Sequence, residues 1–270
     1  MIKITDMEKP PELTDEVIKE KTEKFMKNRK TDVWKEPYIM ERLLEMSHGK
    51  CCYCECKLGK ESNWEQIEHY YPKCLYPEEV VSWKNLLPAC PRCNTKKNRH
   101  DTKKEPIVNP RYDDPSQHFI FYQFFYISQK NSKKGELTCE VLDLNESMVL
   151  DVRTKIGNKA IESLHNLYIK ARDICGTKTN SSLDKLKLRN GVISLLKEAQ
   201  PESEYSAMVA NSILGHPNCS QLIDYMEHLE LWDTEMSTLY ETAKMNSLPC
   251  DEKRVAPTDH FPQKSGAREA

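Results

Sequence analysis

Two Cys-x-x-Cys pairs are the residues of this sequence best suited to chemistry. The pairs are Cys51 with Cys54 and Cys90 with Cys93. A gap of two residues lets both thiolates of a pair reach one tetrahedral zinc ion at about 2.3 Å. The sequence therefore predicts a structural Zn²⁺ site with four cysteine ligands.

The stretch between the two pairs is 35 residues long, which exceeds the usual spacing of a zinc ribbon. We therefore expect a sizeable segment to be held between the two halves of the site. Three other cysteines, Cys52, Cys56 and Cys74, lie close enough to serve as ligands. Cys51 is preferred to Cys52 because only Cys51 has the two-residue gap to Cys54, and the roles of the other three stay open.

The segment between the cysteine pairs carries a histidine preceded by an acidic residue. Glu68 and His69 are followed by Asn85 before the second pair, and Asn94 comes directly after that pair. In this order the residues resemble the HNH nuclease motif, whose fold is a ββα-metal finger. The sequence departs from many HNH proteins at two positions, since Glu68 stands in place of aspartate and Asn94 in place of histidine.

A longer set of motifs narrows the resemblance. The motifs are Cys-x-Tyr-Cys-Glu, Ile-Glu-His-x-x-Pro-Lys, Trp-x-Asn-Leu-Leu-x-Ala-Cys, Cys-Asn-x-x-Lys and Asn-Pro-x-x-Asp-Asp-Pro. They are dense over residues 48 to 125 and are similar to those of the PtuB branch of HNH proteins. Proteins of that branch are the nuclease partners of an ATPase in Septu and retron-associated anti-phage systems.

The resemblance implies a metal-dependent endonuclease, and phosphodiester hydrolysis explains the residue types. The reaction needs a base that activates water and a cation that neutralises the leaving oxygen. His69 is expected to be the base, since neutral imidazole accepts a proton near pH 7. Glu68 and Asn94 are oxygen ligands suited to Mg²⁺ or Mn²⁺. Asn85 is expected to brace the loop and orient His69.

Contacts to nucleic acid must come from a local basic patch, because the formal net charge of the whole chain is -2. Residues 50 to 104 contain eleven Lys and Arg against seven Asp and Glu. We predict contacts to phosphate for five basic residues of this range. They are Lys73, Arg92, Lys96, Lys97 and Arg99.

The spacing of apolar residues predicts an α+β protein, in which a zinc-bound ββα-metal finger is flanked by helices. Two helices are predicted within residues 13–30 and 38–46. The aromatic run 118–128 and the alternating segment 136–144 predict a β-hairpin with a polar turn between them. The helical period returns after residue 145.

The predicted organisation has five parts. They are an N-terminal helical segment (1–47), the HNH nuclease core with its four-cysteine site (48–115), a β-hairpin (116–145), a helical partner-docking domain (146–250) and a mobile tail (251–270).

The chain is expected to be cytoplasmic and to make no contact with a membrane. It has no apolar run of about 20 residues, the length needed to cross a bilayer, and its first residues lack an apolar signal core. Seven of the eleven cysteines lie between Cys51 and Cys93. In a reducing compartment such a cluster favours a metal over disulfides.

Two partners are expected, namely nucleic acid, with DNA favoured over RNA, and a PtuA-like ATPase. The ATPase is expected to dock on the C-terminal helical domain, because a finger of this size needs no such domain for its chemistry. Two alternatives stay open: the same enzyme cutting RNA such as tRNA, and a non-catalytic zinc module that binds nucleic acid. Glu68, His69 and Asn94 discriminate between these alternatives. A non-catalytic zinc module requires neither oxygen ligands for Mg²⁺ or Mn²⁺ nor a general base between its cysteine pairs.

Overall fold

The computed structural model describes residues 1–59, 64–176 and 181–249. Within these ranges the chain is a mixed α/β protein, in which two short antiparallel strand pairs lie among helices. The predicted tail 251–270 lies outside the described residues. The elements in chain order are α1 (Asp15–Lys27), α2 (Pro37–Met46), β1 (Gln66–His69), β2 (Leu86–Ala89), α3 (Pro91–Lys97), β3 (Phe119–Tyr122), β4 (Phe125–Ser128), α4 (Lys133–Val141), α5 (Ser147–Gly176), α6 (Ser182–Lys197), α7 (Ser206–Leu214), α8 (Asn218–His228) and α9 (Thr234–Asn246).

Two helices precede the cysteine cluster, which confirms the prediction from apolar spacing. α1 begins after Thr14, whose hydroxyl accepts a hydrogen bond from Val17 N at 3.3 Å. Such a cap satisfies a backbone N–H that the first turn of a helix leaves without a partner. Pro37 opens α2, which buries Ile39 and Leu43 and contacts β2.

β1 and β2 form a two-stranded antiparallel sheet that is followed directly by α3. His69 lies opposite Leu86 in the register of the two strands. Cys90 follows β2 and caps α3, because its Sγ accepts a hydrogen bond from Cys93 N at 3.5 Å. α3 contacts β1, and a long loop (70–85) joins the strands. The end of β1, this loop and α3 therefore lie side by side.

The predicted β-hairpin is wrong in its second strand. β3 and β4 both lie within the aromatic run and turn at Gln123, which has a positive φ of 53°. The segment 136–144, predicted as the second strand, lies mostly in α4. α4 begins at a Ser132 cap, where the hydroxyl accepts a hydrogen bond from Gly135 N at 3.0 Å.

The pattern of α4 fits two periods at once. Leu137, Cys139 and Val141 alternate as in a strand, but Leu137 and Val141 are also four residues apart and share one face of a helix. All three pack against the hydrophobic core. The cap at Ser132 favours the helical choice.

The C-terminal helices pack around α5, which is 30 residues long. α5 contacts α6, α7 and α8, while α9 contacts α6 and α7. Their apolar residues form a second hydrophobic core. Tyr205, Ala207, Met208 and Leu248, however, belong to the core built by the first half of the chain. The start of α7 therefore packs on the predicted nuclease core.

A buried polar cluster connects the start of α7 with the segment that contains the first cysteine pair. Lys50 Nζ donates to Ser206 Oγ at 3.0 Å, and Ser206 Oγ donates to Glu55 Oε2 at 2.8 Å. Burial by itself raises the pKa of Glu55, but the charges of the Met1 ammonium and Lys50 lower it to about 2. The Glu55 carboxylate is therefore ionised and has the partners that a buried charge requires.

The described part of the chain contains no helix that could cross a membrane. α5 has sufficient length, but its sequence is not apolar enough.

Candidate active site and metal centre

Four buried cysteine thiols form a site that can hold a metal ion such as zinc. The Sγ atoms of Cys51, Cys54, Cys90 and Cys93 all lie within 4.8 Å of one another. Those of Cys54 and Cys90 are 3.7 Å apart. Thiolates about 2.3 Å from a tetrahedral zinc ion lie about 3.8 Å from one another. The spacing of the thiols therefore suits the predicted zinc ion.

A tight turn and the end of a strand bring the two cysteine pairs together. Glu55 N donates to Cys51 O at 3.0 Å, and Glu55 adopts the left-handed region with a φ of 65°. Cys52 N donates to Pro88 O at 2.9 Å, which attaches the turn to β2. Because Cys90 directly follows β2, this hydrogen bond places the first pair beside the second.

The three other cysteines of this segment have different surroundings. Cys52 and Cys56 are buried, whereas Cys74 is exposed. Among the described residues, the group that meets the distances for a metal site contains none of these three. Cys51, with its two-residue gap to Cys54, is thus the member of the first pair that joins the centre.

His69 ends β1 and is almost completely buried. Its Nε2 lies 2.9 Å from the carbonyl oxygen of Val80, and the ring of Trp34 meets it edge to face with 4.9 Å between centroids. Burial, together with the charge of Lys73, lowers the pKa of His69 to about 3. The imidazole is therefore neutral near pH 7. Since a carbonyl only accepts, Nε2 carries the hydrogen and Nδ1 is the acceptor nitrogen.

Glu68 precedes His69 in β1, and its buried carboxylate pairs with Lys97 of α3. Lys97 Nζ lies 2.6 Å from Glu68 Oε1 and donates to His69 O at 2.7 Å. Burial raises the pKa of Glu68, and the charge of Lys97 opposes this shift. Two charged groups thus face each other next to the candidate base.

The predicted phosphate contact of Lys97 is not supported, because the side chain is only 1% exposed. Lys97 lies four residues after Cys93, so both residues share the face of α3 that packs toward the sheet. The lysine consequently points into the protein, where it pairs with Glu68.

Two asparagines complete the predicted motif. Asn85 Oδ1 accepts a hydrogen bond from Tyr71 N at 2.6 Å, and its Nδ2 donates to Glu79 O at 3.0 Å. These bonds connect distant parts of the 70–85 loop, as a brace requires. Asn94 Nδ2 donates to a side-chain oxygen of β1, Gln66 Oε1, at 2.7 Å. The Oδ1 atom of Asn94 is therefore the amide atom that could bind a cation.

Most of the residues predicted for catalysis and metal binding line one cavity of about 440 Å³. Its lining includes Glu68, His69, Lys73, Cys74, Asn94 and Arg99. The predicted base, both predicted metal ligands and two of the predicted phosphate contacts thus face one space. A small charged group of a substrate could reach all of them.

Arg92 and Lys96 lie apart from this cavity in ion pairs with acidic residues. Arg92 Nε lies 2.7 Å from Glu146 Oε2, and Lys96 Nζ lies 2.7 Å from Asp143 Oδ2. These carboxylates compete with a phosphate for the same cations. The predicted basic patch is therefore divided, and only Lys73 and Arg99 of the five residues line the cavity.

Trp34 is a residue of the site that the sequence did not indicate. Its ring packs against His69, and Lys73 Nζ lies 4.5 Å from the centroid of the same ring. The indole thereby contributes to the burial of His69. Trp34 precedes α2, far from the motif, so no local pattern connects it with the histidine.

The fold and the site define a mixed α/β protein with a four-cysteine cluster that can hold a metal ion and a cavity lined by a buried Glu–His pair. The chain is 41% identical to the Septu protein PtuB of Bacillus thuringiensis over 249 residues, which are 92% of this chain and 95% of that protein. It is 30% identical to the Septu protein PtuB of Bacillus mycoides strain KBAB4 over 220 residues, 66% of this chain and 74% of that protein. The chain therefore belongs to the Septu PtuB family.

A shorter similarity connects the chain with a second Septu protein. It is 28% identical to the Septu protein PtuA of Bacillus mycoides strain KBAB4 over 156 residues, which are 45% of this chain and 22% of that protein. No protein-family model matches the chain.

Proposed function

We propose that this chain is a metal-dependent HNH endonuclease that hydrolyses phosphodiester bonds of nucleic acid. The observation that carries the proposal is the position of His69, a neutral imidazole that lines one cavity with Glu68 and Asn94. The order β1–β2–α3 agrees with a ββα-metal finger. The motif residues lie at the end of β1, at the end of the following loop and in α3.

His69 acts as the general base in this proposal. The hydrogen bond from Nε2 to Val80 O holds the ring and its tautomer, so Nδ1 accepts the proton of the attacking water. Burial keeps the ring in its basic form before the substrate binds. The negative charge of a bound phosphate raises the pKa of the imidazole and strengthens it as a base.

Glu68 and Asn94 would hold Mg²⁺ or Mn²⁺, for which oxygen donors are the preferred ligands. A buried carboxylate and an amide oxygen facing one cavity are a suitable donor set. A divalent ion there would neutralise charge on the leaving oxygen. The four-cysteine centre offers zinc no open position, so zinc would stabilise the fold and take no part in the reaction.

Lys73 and Arg99 are the basic residues that would position the substrate. Both line the cavity with His69, and phosphate contacts fix the register of a nucleic acid without reading its sequence. Arg92 and Lys96 would contribute less, because Glu146 and Asp143 already neutralise them.

We also propose that the nuclease is the effector of an ATPase-coupled anti-phage system of the Septu or retron-associated type. The similarity to Septu PtuB proteins over most of the chain supports this assignment. The partner would be a PtuA-like ATPase docked on the C-terminal helices. These helices form a hydrophobic core of their own, and the proposed catalytic residues lie outside them.

Cleavage by the full-length chain tests the nuclease. The chain is incubated with Mg²⁺ or Mn²⁺, with and without the co-expressed ATPase, on phage DNA and on total RNA. We expect the wild-type chain to cut DNA and the His69→Ala variant to be inactive. If the chain cuts RNA but not DNA, the assignment as a nuclease stands and its substrate is RNA. No cleavage of either nucleic acid with the ATPase present would favour the non-catalytic zinc module.

Docking of the ATPase needs a test on the full-length chain, because a chain ending at Asp151 would lose Ser206 and leave buried Glu55 without this partner. Leu183 and Leu186 are exposed apolar residues of α6. Their joint replacement by Glu should abolish co-purification with the ATPase. The matched control is Leu75→Glu, which alters an exposed leucine outside the C-terminal helices. If the double variant co-purifies with the ATPase as well as the Leu75→Glu control does, the docking surface lies elsewhere.

A further inference from the structure

A second cavity adjoins the one that contains His69. It has a volume of about 810 Å³, within the range of sites that bind small molecules or parts of larger ones. Lys73 and Asn94 line both cavities. The two spaces are therefore neighbours, and a strand whose phosphate reaches the first has an adjacent nucleotide within reach of the second.

The second cavity is lined by two tryptophans. Trp64 is 69% exposed, while Trp34 is buried between this cavity and His69. Met40 and Ile67 add apolar surface to the lining. Tryptophan side chains are usually mostly buried, so an indole with this exposure is unusual. Its flat face is suited to stacking with a nucleobase.

The charges around this cavity favour an uncharged group over a phosphate. Four carboxylates and two ammonium groups line it: Asp32, Glu36, Glu41 and Glu65 against Lys35 and Lys73. Lys35 pairs with Asp32 at 2.6 Å, Glu36 pairs with Lys21, which lies outside the lining, and the Lys73 ammonium lies over the Trp34 ring. Glu41 and Glu65 then exceed Lys73 by one negative charge. The excess of carboxylates repels the backbone of a nucleic acid but not the face of a base.

We propose that this cavity binds an unpaired nucleobase adjacent to the scissile phosphate, stacked on Trp64. The inference rests on the proposed nuclease function and names its substrate class. A base inside a duplex presents only its edge in the grooves, whereas stacking on a side chain is open to a nucleotide that is already unpaired, in a loop or a single strand. The enzyme therefore acts on nucleic acid that is unpaired at the cleavage position.

Binding of labelled oligonucleotides to the full-length chain tests this site. All proteins carry His69→Ala, so that the probe stays intact, and the probes are one single-stranded DNA, the RNA of the same sequence and the blunt DNA duplex. Trp64→Ala should weaken binding of a single strand about fivefold or more, since one stacked base contributes that much. Trp64→Phe should restore most of the affinity, and duplex binding should not change.

Tyr122→Ala is the matched control, because Tyr122 is an exposed aromatic residue on the β3–β4 hairpin. The loss in Trp64→Ala should persist at high salt, since the indole carries no charge that could pair with phosphate. Zinc content and thermal unfolding of each variant show whether it is folded.

The parent is the protein that carries His69→Ala alone. If Trp64→Ala binds the single strand as tightly as the parent does, the base site is overturned. It is also overturned if Trp64→Ala weakens binding of the duplex as much as binding of the single strand. Loss of ATPase binding with unchanged oligonucleotide binding would identify the cavity as a protein-docking site and also overturn it. The cleavage comparison of wild-type and His69→Ala chains decides the nuclease separately. If the wild type cuts while Trp64→Ala binds normally, only the base site fails. A parent that binds none of the probes overturns the base site, and the proposed function falls with it only when the wild-type chain also cuts neither nucleic acid.

Discussion

Lys97 and Glu68 form an ion pair in which both side chains are buried, with 2.6 Å between Nζ and Oε1. The same ammonium donates to the backbone oxygen of His69. Lys97 thus holds the carboxylate that we assign to the catalytic metal and the strand end that carries the base. A divalent ion approaching Glu68 meets a positive charge that is already present, so we expect it to bind weakly.

The first prediction is that Lys97→Met destabilises the fold by about 3–5 kcal/mol, the cost of leaving a buried charge without its partner. Urea unfolding measures this loss. Lys96→Met is the control and should change stability little, because its ion pairs are partly exposed. Mn²⁺ should stabilise Lys97→Met more than the wild type, because it can pair with the freed carboxylate. A variant as stable as the wild type would show that the ion pair does not hold this site.

The second prediction concerns the base. His69→Ala should lower the cleavage rate about a hundredfold or more, which is the usual contribution of a general base. Because the ring is buried and bonded to Val80 O, its removal should also cost about 1–3 kcal/mol of stability. Zinc content should not change.

Val80→Ala separates the two effects of this substitution. It removes buried apolar atoms from the same loop but keeps the carbonyl that binds His69. We expect it to be destabilised to a similar degree and still active. Equal loss of activity in both variants at a temperature where both are folded would argue against His69 as the base.

The cluster of four cysteines and most helices could be predicted because their signals are local. A two-residue gap between cysteines fixes the geometry of half a zinc site, and apolar residues at helical spacing predict α1 and α2 without knowledge of their neighbours. The error at α4 arose where a local pattern fitted two periods. There the Ser132 cap favours the helix, and a serine before the apolar residues is a helix-start signal that the sequence itself contains.

The parts of the site that could not be predicted depend on contacts between distant segments. In the sequence, nothing distinguishes Lys97 from the exposed lysines beside it, because its burial depends on the packing of α3 against β1. Lys96 is paired with Asp143, which lies 47 residues later in the chain. Trp34 joins the site from the segment before α2. None of these neighbours is visible in the spacing of the motif.

The third prediction is that the wild-type chain contains one zinc ion and that Cys90→Ser loses it. The serine removes a ligand and also the sulfur that caps α3, so metal and soluble protein should be lost together. Cys175→Ser, on α5, is the matched control and should keep both. Metal analysis of the purified proteins gives the answer. A soluble wild-type chain without bound metal would contradict the assignment of the four cysteines.

The last prediction uses Cys74, whose thiol is exposed and lines the cavity with His69. A bulky maleimide attached there should block entry of the substrate and abolish cleavage, while the much smaller methylthio group should inhibit far less. Cys74→Ser should remain active and resist the maleimide, which excludes an effect through other cysteines. Mass spectrometry measures the labelled fraction of Cys74. A fully labelled chain that cuts at the unlabelled rate would show that the substrate does not enter this cavity, and the active site would then have to lie elsewhere on the protein.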